Sequence, residues 1–202
     1  KDINAVKEKS YEHKLSKLND DVDCIYENMY EEYTYGNIYE HKVHNDWSRV
    51  VAAPDKNQIQ FILDIMKEWP GPFFILYVLI VSRCGREPGR YESNNTFSYE
   101  ELKSFLYFHK EFFERDGRHH LWVIDMTNNN RIVYDNHNII YIYGEDKKTI
   151  ECCELKGLVR DEVLIPEPHT HHYNQQYDKE EDNIFNNYEW VQFPLVEEHD
   201  DP

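Results

Sequence analysis

Apolar and polar positions alternate along this chain in blocks of distinct period, and the blocks predict its elements. The longest uninterrupted apolar run is Phe73-Phe74-Ile75-Leu76-Tyr77-Val78-Leu79-Ile80-Val81, bounded by Pro70-Gly71-Pro72 and by Ser82-Arg83-Cys84-Gly85. A run this rich in β-branched and aromatic residues, yet shorter than the about 20 residues of a membrane span, predicts a strand buried on both faces. It is read as the central strand of a sheet, over 73–81. Upstream, Ile59, Ile62, Leu63, Met66 and Trp69 fall at helical spacing between Asp55, a suitable N-cap, and Pro70. This predicts a helix over 55–69 that feeds the strand. Nearer the start, Leu15, Leu18, Val22, Ile25 and Met29 recur at alternating steps of three and four. That stripe predicts an amphipathic helix over about 3–33, stopped by Gly36-Asn37. Residues 38–53 fit either a short strand or a loop.

Downstream of the apolar run, residues 84–95 are dense in Gly, Pro, Ser and Asn and read as a loop. Ser98 and Glu101 stand at capping-box spacing, and Leu102, Phe105, Leu106, Phe108 and Phe112 continue as a helix over 98–115. From His119 the period falls to two. Residues 120–126, 131–134 and 139–143 predict a three-strand meander joined by Asn-rich turns. Residues 149–165 read as one or two further strands, 178–188 as a short acidic helix, and 190–195 as an edge strand carrying Pro194. Helices followed by a run of strands predict one α+β domain over 1–202, with an antiparallel or mixed sheet and helices mainly on one face.

Composition adds a charge argument. The chain has 202 residues, 40% hydrophobic and 15% aromatic with 16 Tyr, enough to bury a core without staples. Its net charge is −17, and residues 149–202 alone hold 3 Lys+Arg against 14 Asp+Glu. Such a field repels nucleic acid and anionic membranes and attracts basic partners. Cys24, Cys84, Cys152 and Cys153 show no C-x-x-C spacing, which fits a reducing cytoplasmic setting.

Three clusters could carry chemistry. His169, His171 and His172 crowd four residues after Pro168, with His119 and His120 as further imidazoles; the spacing matches no H-E-x-x-H motif, so no metal or other cofactor is expected. Arg83, Arg86 and Arg90, interleaved with Gly85 and Gly89, could hold a carboxylate or phosphate, or could pair with nearby acidic residues and pin the loop. Cys84 could serve as a nucleophile with a histidine base, while Asp125, Asp135 and His137 read as turn and edge residues. Two function classes follow. The favoured one is a non-enzymatic acidic protein that captures a basic protein partner, as an immunity or antitoxin-type inhibitor does, with Tyr177, Asp178, Glu180, Glu181, Asp182, Phe185 and Tyr188 as the contact. The alternative is a small metal-dependent or Cys-based hydrolase built on the His169/His171/His172 and Arg83/Arg86/Arg90 clusters.

Overall fold

A computed structural model describes residues 9–18 and 29–196. Strands β1 (Leu15–Leu18) and β2 (Tyr30–Glu32) come first, then the hairpin β3 (Ile38–Val43) and β4 (Ser48–Ala53), helix α1 (Gln58–Met66), and the antiparallel pair β5 (Phe73–Leu79) and β6 (Gly89–Ser93). Helices α2 (Tyr99–Phe108) and α3 (Lys110–Arg115) lead into the meander β7 (His119–Asp125), β8 (Arg131–Tyr134) and β9 (Ile140–Tyr143). Helix α4 (Asp146–Leu155), short strands β10 (Val159–Arg160) and β11 (His169–His171), helix α5 (Asp178–Asn187) and strand β12 (Trp190–Phe193) follow. The fold is α+β. A nine-stranded sheet runs β10-β3-β4-β9-β8-β7-β5-β6-β12, and a three-stranded antiparallel sheet runs β11-β1-β2. The large sheet is mixed because β10 pairs parallel to β3.

The two-residue period sorts the large sheet into two faces. Val50, Ala52, Ile132, Tyr134, Ile140 and Ile142 join the main core, whereas Val51, Ala53, Val133, Ile139 and Tyr141 turn to the opposite side. All five helices contribute to the first cluster and none to the second, which is covered in part by Val163 and Ile165 of the segment after β10. β5 is buried on both faces, with Tyr77 and Val78 fully enclosed, as its unbroken apolar run requires. It lies between β7 and β6, two places from the β12 edge, so it is interior but not central; β8 holds the middle position. The Ser98–Glu101 capping box forms as the spacing predicts, and the helix begun there breaks at His109 into α2 and α3.

Several elements differ from the sequence reading. Within the described residues the helix expected over 3–33 is absent, and residues 3–8 and 19–28 lie outside them. Leu15–Leu18 and Tyr30–Glu32 are instead paired strands, with Ser16 opposite Glu32 and Leu15 opposite His171. Lys14, Leu15 and Ser16 are buried consecutively, so distant strand pairing outweighs the helical period. Residues 149–165 hold one short strand, β10, as expected, but their first half is most of α4, because Thr149 and Cys153 bury one face at a helical step. The loop expected over 84–95 contains β6, whose single-residue alternation of buried and half-buried positions spans Gly89–Ser93. Asp55 does not cap α1: its Oδ1 accepts from the Gly36 and Asn37 amides, and left-handed Asn57 occupies the cap.

Candidate metal centre

The tip of the β8–β9 hairpin is organised by one carboxylate. Asp135 Oδ1 accepts from the backbone amides of His137 and Ile139, both at 2.9 Å, and left-handed Asn138 (φ 64°) completes the turn. His137 Nδ1 donates to Asp135 Oδ2 at 2.9 Å. Burial opposes the Asp135 charge, yet the bond from His137, the His137 and His120 rings and the Ile139 amide hold its carboxyl below the usual range. Beneath the turn, buried Lys14 donates from Nζ to the Asp135 carbonyl at 2.9 Å and lies 3.6 Å over the Tyr134 ring. Tyr35 Oη donates to the His137 carbonyl. The His137 ring is therefore fixed with Nδ1 protonated and Nε2 left as a lone-pair donor.

Strand β11 meets this tip from the small sheet. Its sequence His169-Thr170-His171 puts two imidazoles on one face by the period of a strand, and directs Thr170 to the other. His169 Nδ1 donates to the Pro166 carbonyl at 2.8 Å, which again leaves Nε2 available. His171 has Nδ1 buried without a partner, and its Nε2 lies 3.5 Å from Asn136 Nδ2. Asn136 Oδ1 is likewise buried without a partner. Burial, and then the neighbouring His137 and His169 rings, push the His171 pKa down to about 4, so the ring is neutral at ordinary pH.

The three rings form a nearly equilateral triangle. Their centres are 5.1 Å (His137–His169), 4.9 Å (His137–His171) and 5.1 Å (His169–His171) apart, and one nitrogen from each lies within 4.8 Å of the others. A tetrahedral ion with bonds of about 2.0–2.1 Å places its ligand nitrogens roughly 3.3 Å apart and the ring centres behind them roughly 5.2 Å apart. The ring centres already stand at that spacing, so gathering the nitrogens asks for ring rotation rather than strand movement. The His137 and His169 side chains keep 15% and 16% of their surface exposed, which leaves an approach for a fourth ligand.

The other residues singled out in the sequence are placed elsewhere. His172, one residue past the strand, faces away: its Nε2 lies 2.7 Å from Ser16 Oγ and its ring stacks on Tyr11 at 3.6 Å. His119 and His120 are buried in β7, where burial lowers both pKa values; His119 Nδ1 meets Tyr77 Oη at 3.1 Å. The arginine loop is pinned by α5, with Arg83 Nε donating to Asp178 and Arg86 Nη2 to Asp182, both at 3.0 Å, while Arg90 lies over the Phe193 ring. Those pairings with the acidic C-terminal quarter are the pinning role read for the loop as its other possibility. Cys84 is exposed, but partial burial and the carboxylates of Glu181, Asp178 and Asp182 raise its thiol pKa, the opposite of what a nucleophile requires. Asp125 keeps the turn role read for it, accepting from the Thr127 amide and Asn130 Nδ2.

The acidic residues expected to form a contact on α5 pair with the protein's own cations, while the side chains of Asp178, Glu180 and Asp182 stay 30%, 29% and 50% exposed. Glu181 is fully buried and accepts from Arg118 Nη1 at 2.7 Å and from Ser82 Oγ. Glu180 accepts from His109 Nδ1 at 3.0 Å, Tyr177 is 5% exposed, and Phe185 and Tyr188 pack in ring contacts with Tyr91 and Phe105. Arg118, which the sequence reading passed over, holds this region together. All five of its N–H groups are used, on Asp116 (two), Asp178, Glu181 and the Asn174 carbonyl. Arg118 and its contact with Glu181 had no sequence signal, since they join positions 63 residues apart. The histidine triad did have one: His-x-His in a segment that forms a strand.

No protein-family model, no curated protein and no solved structure matches this chain. No helix among the described residues is long and apolar enough to cross a membrane.

Proposed function

We propose that this chain is a metal-binding protein in which His137, His169 and His171 hold one divalent transition ion, with zinc the best fit to three neutral imidazoles. The observation that carries this reading is the triangle of ring centres 4.9–5.1 Å apart. Two of its members are oriented by bonds from Nδ1 to a carboxylate and a carbonyl, the arrangement that prepares histidine to ligate. Three protein ligands with an open fourth position are the donor set of a reactive centre; closed structural sites carry four. At such a centre the bound ion lowers the pKa of its water and polarises an oxygen bound beside it. His172 is replaced by His137 in the ligand set, and the expectation of a metal-free protein gives way to this one.

The test is metal content by elemental analysis after zinc loading, together with the visible spectrum of the cobalt(II) form. About one ion per chain is expected, with the intense d–d bands of a tetrahedral site, lost in His137→Ala, His169→Ala and His171→Ala and retained in His172→Ala. Equal loss in His172→Ala, or no stoichiometric ion in untagged protein, would overturn the reading.

Capture of a basic partner stands as a second reading, supported by the net charge of −17. On α5 only Glu181 is fully buried, and Asp178, Glu180 and Asp182 keep exposed surface for such a contact. Salt dependence of the association rate with a basic neighbouring gene product measures it, and a rate indifferent to salt removes it.

A further inference from the structure

A cleft of about 700 Å³ opens between α2 and the junction of α5 with β12, within the roughly 300–1,000 Å³ of small-molecule sites. Its wall is aromatic. Phe97, Phe105 and Tyr188 line it, with Phe105 and Tyr188 perpendicular at 4.9 Å and Phe97 tilted against both, and Phe108 stands beside them 64% exposed. Its charged lining is wholly acidic: Glu100, Glu101 and Glu189, with no lysine or arginine among the described residues around it. Behind the aromatic wall sits His109, whose ring touches Phe105, Phe108 and Tyr188. His109 does not line the cleft itself; it supports the wall from behind, held by the bond its Nδ1 donates to Glu180 at 3.0 Å.

Aromatic faces and carboxylates at the mouth share one preference in a ligand. Each favours a cation that carries N–H donors and an apolar body, and each is a poor match for an anion. We propose that this cleft binds a small organic cation, a protonated amine on an apolar stem, seated against Phe105, Phe108 and Tyr188 with its charge toward Glu100. The site is separate from the metal triad, none of whose residues lines it.

The probe is phenethylammonium, titrated into the full-length protein and followed by amide chemical shifts, with the neutral isostere phenethyl alcohol as the comparison. Shifts are expected to cluster at residues 95–108 and 187–189, with the alcohol at least about tenfold weaker. Two variants bear on the site without touching its helix cap: Glu100→Lys reverses an exposed charge, and Phe108→Ala removes an exposed ring. Each is expected to weaken phenethylammonium by roughly fivefold or more, leaving the amide spectrum of the free protein otherwise folded. Equal affinity for the alcohol, shifts that map elsewhere, or unchanged binding in both variants would overturn the proposal. So would a lysine-rich peptide that perturbs the cleft when phenethylammonium at millimolar concentration does not, since the occupant would then be a macromolecule.

Discussion

Replacing Arg118 by Met tests whether the buried charge cluster beneath α5 is the element that fixes that helix. Arg118 and the side chains of Asp116 and Glu181 are all 0% exposed, and Asp178 adds a third carboxylate at 3.2 Å. Methionine follows the aliphatic stem of arginine, so the substitution removes the guanidinium and its five hydrogen bonds while filling much of the same space. Two buried carboxylates are left facing one another without their cation. Removing one partner of a buried ion pair costs about 3–5 kcal/mol. For a domain of this size each kcal/mol moves Tm by about 2–4 °C, so a fall of roughly 6–20 °C is expected. The deficit should depend on pH in a defined direction. Burial already raises the Asp116 pKa against the opposing pull of Arg118, and loss of the cation raises it further. A carboxyl whose folded pKa is raised keeps its proton longer in the folded state. Its contribution is present below the unfolded pKa and lost as pH rises through the folded one. Urea denaturation followed by tryptophan fluorescence should therefore find Arg118→Met closer to wild type at pH 5 than at pH 7.5. A loss under about 1 kcal/mol, or an identical deficit at both pH values, would refute the reasoning. The same geometry explains why reversing Glu181 to Lys cannot serve as a probe of surface charge: it sets a second cation against Arg118 in a sealed site.

Lys14 is the second titrating element to examine. Burial lowers its pKa from 10.5 to about 7, so between those values the unfolded chain binds the extra proton and stability climbs with pH; Lys14→Met should flatten that slope in denaturation curves. Ser98→Ala removes the acceptor for the Glu101 amide and one half of the capping box, and a loss of about 1 kcal/mol in urea denaturation is expected, with no change in metal content. Cys84, its thiol pKa raised, should react with iodoacetamide more slowly than a free cysteine at neutral pH, and faster alkylation than the free amino acid would contradict the charge environment given for it.

The parts of the fold legible in the sequence are those whose signal is local. The apolar run at 73–81, the helix ending before Pro70, the capping box at Ser98 and the meander with its Asn turns all announce themselves within a window of a dozen residues. The small sheet does not. β1 owes its conformation to β11, with Leu15 opposite His171, and the helical stripe at Leu15, Leu18 and Met29 is overridden by partners that no local window contains. The same distinction governs the site. His169 and His171 were visible as a cluster, but choosing between His171 and His172 as a pair with His169 requires knowing that the segment is a strand, because a strand separates neighbours and unites alternate residues. His137 enters from 32 positions before His169 through a hairpin tip that the sequence marks only as a turn. On α5 the sequence showed the acidic residues correctly and their destination not at all. Three basic residues, Arg83, Arg86 and Arg118, reach them from distant segments, burying Glu181 fully and covering Asp178 and Asp182 in part.

The order of strands in the large sheet constrains how the chain can be synthesised. The pairs β3–β4 and β5–β6 are both made before residue 94, yet they do not pair with each other; β9 and β7 connect them by adding to β4 and β5. Until residue 125 is made β5, the most apolar segment of the chain, presents an open backbone edge, and until residue 143 is made β4 does. The outer edges close later still, when β10 reaches β3 and β12 reaches β6. A nascent chain held in this half-built state is exposed to edge-to-edge association with its neighbours on the same message.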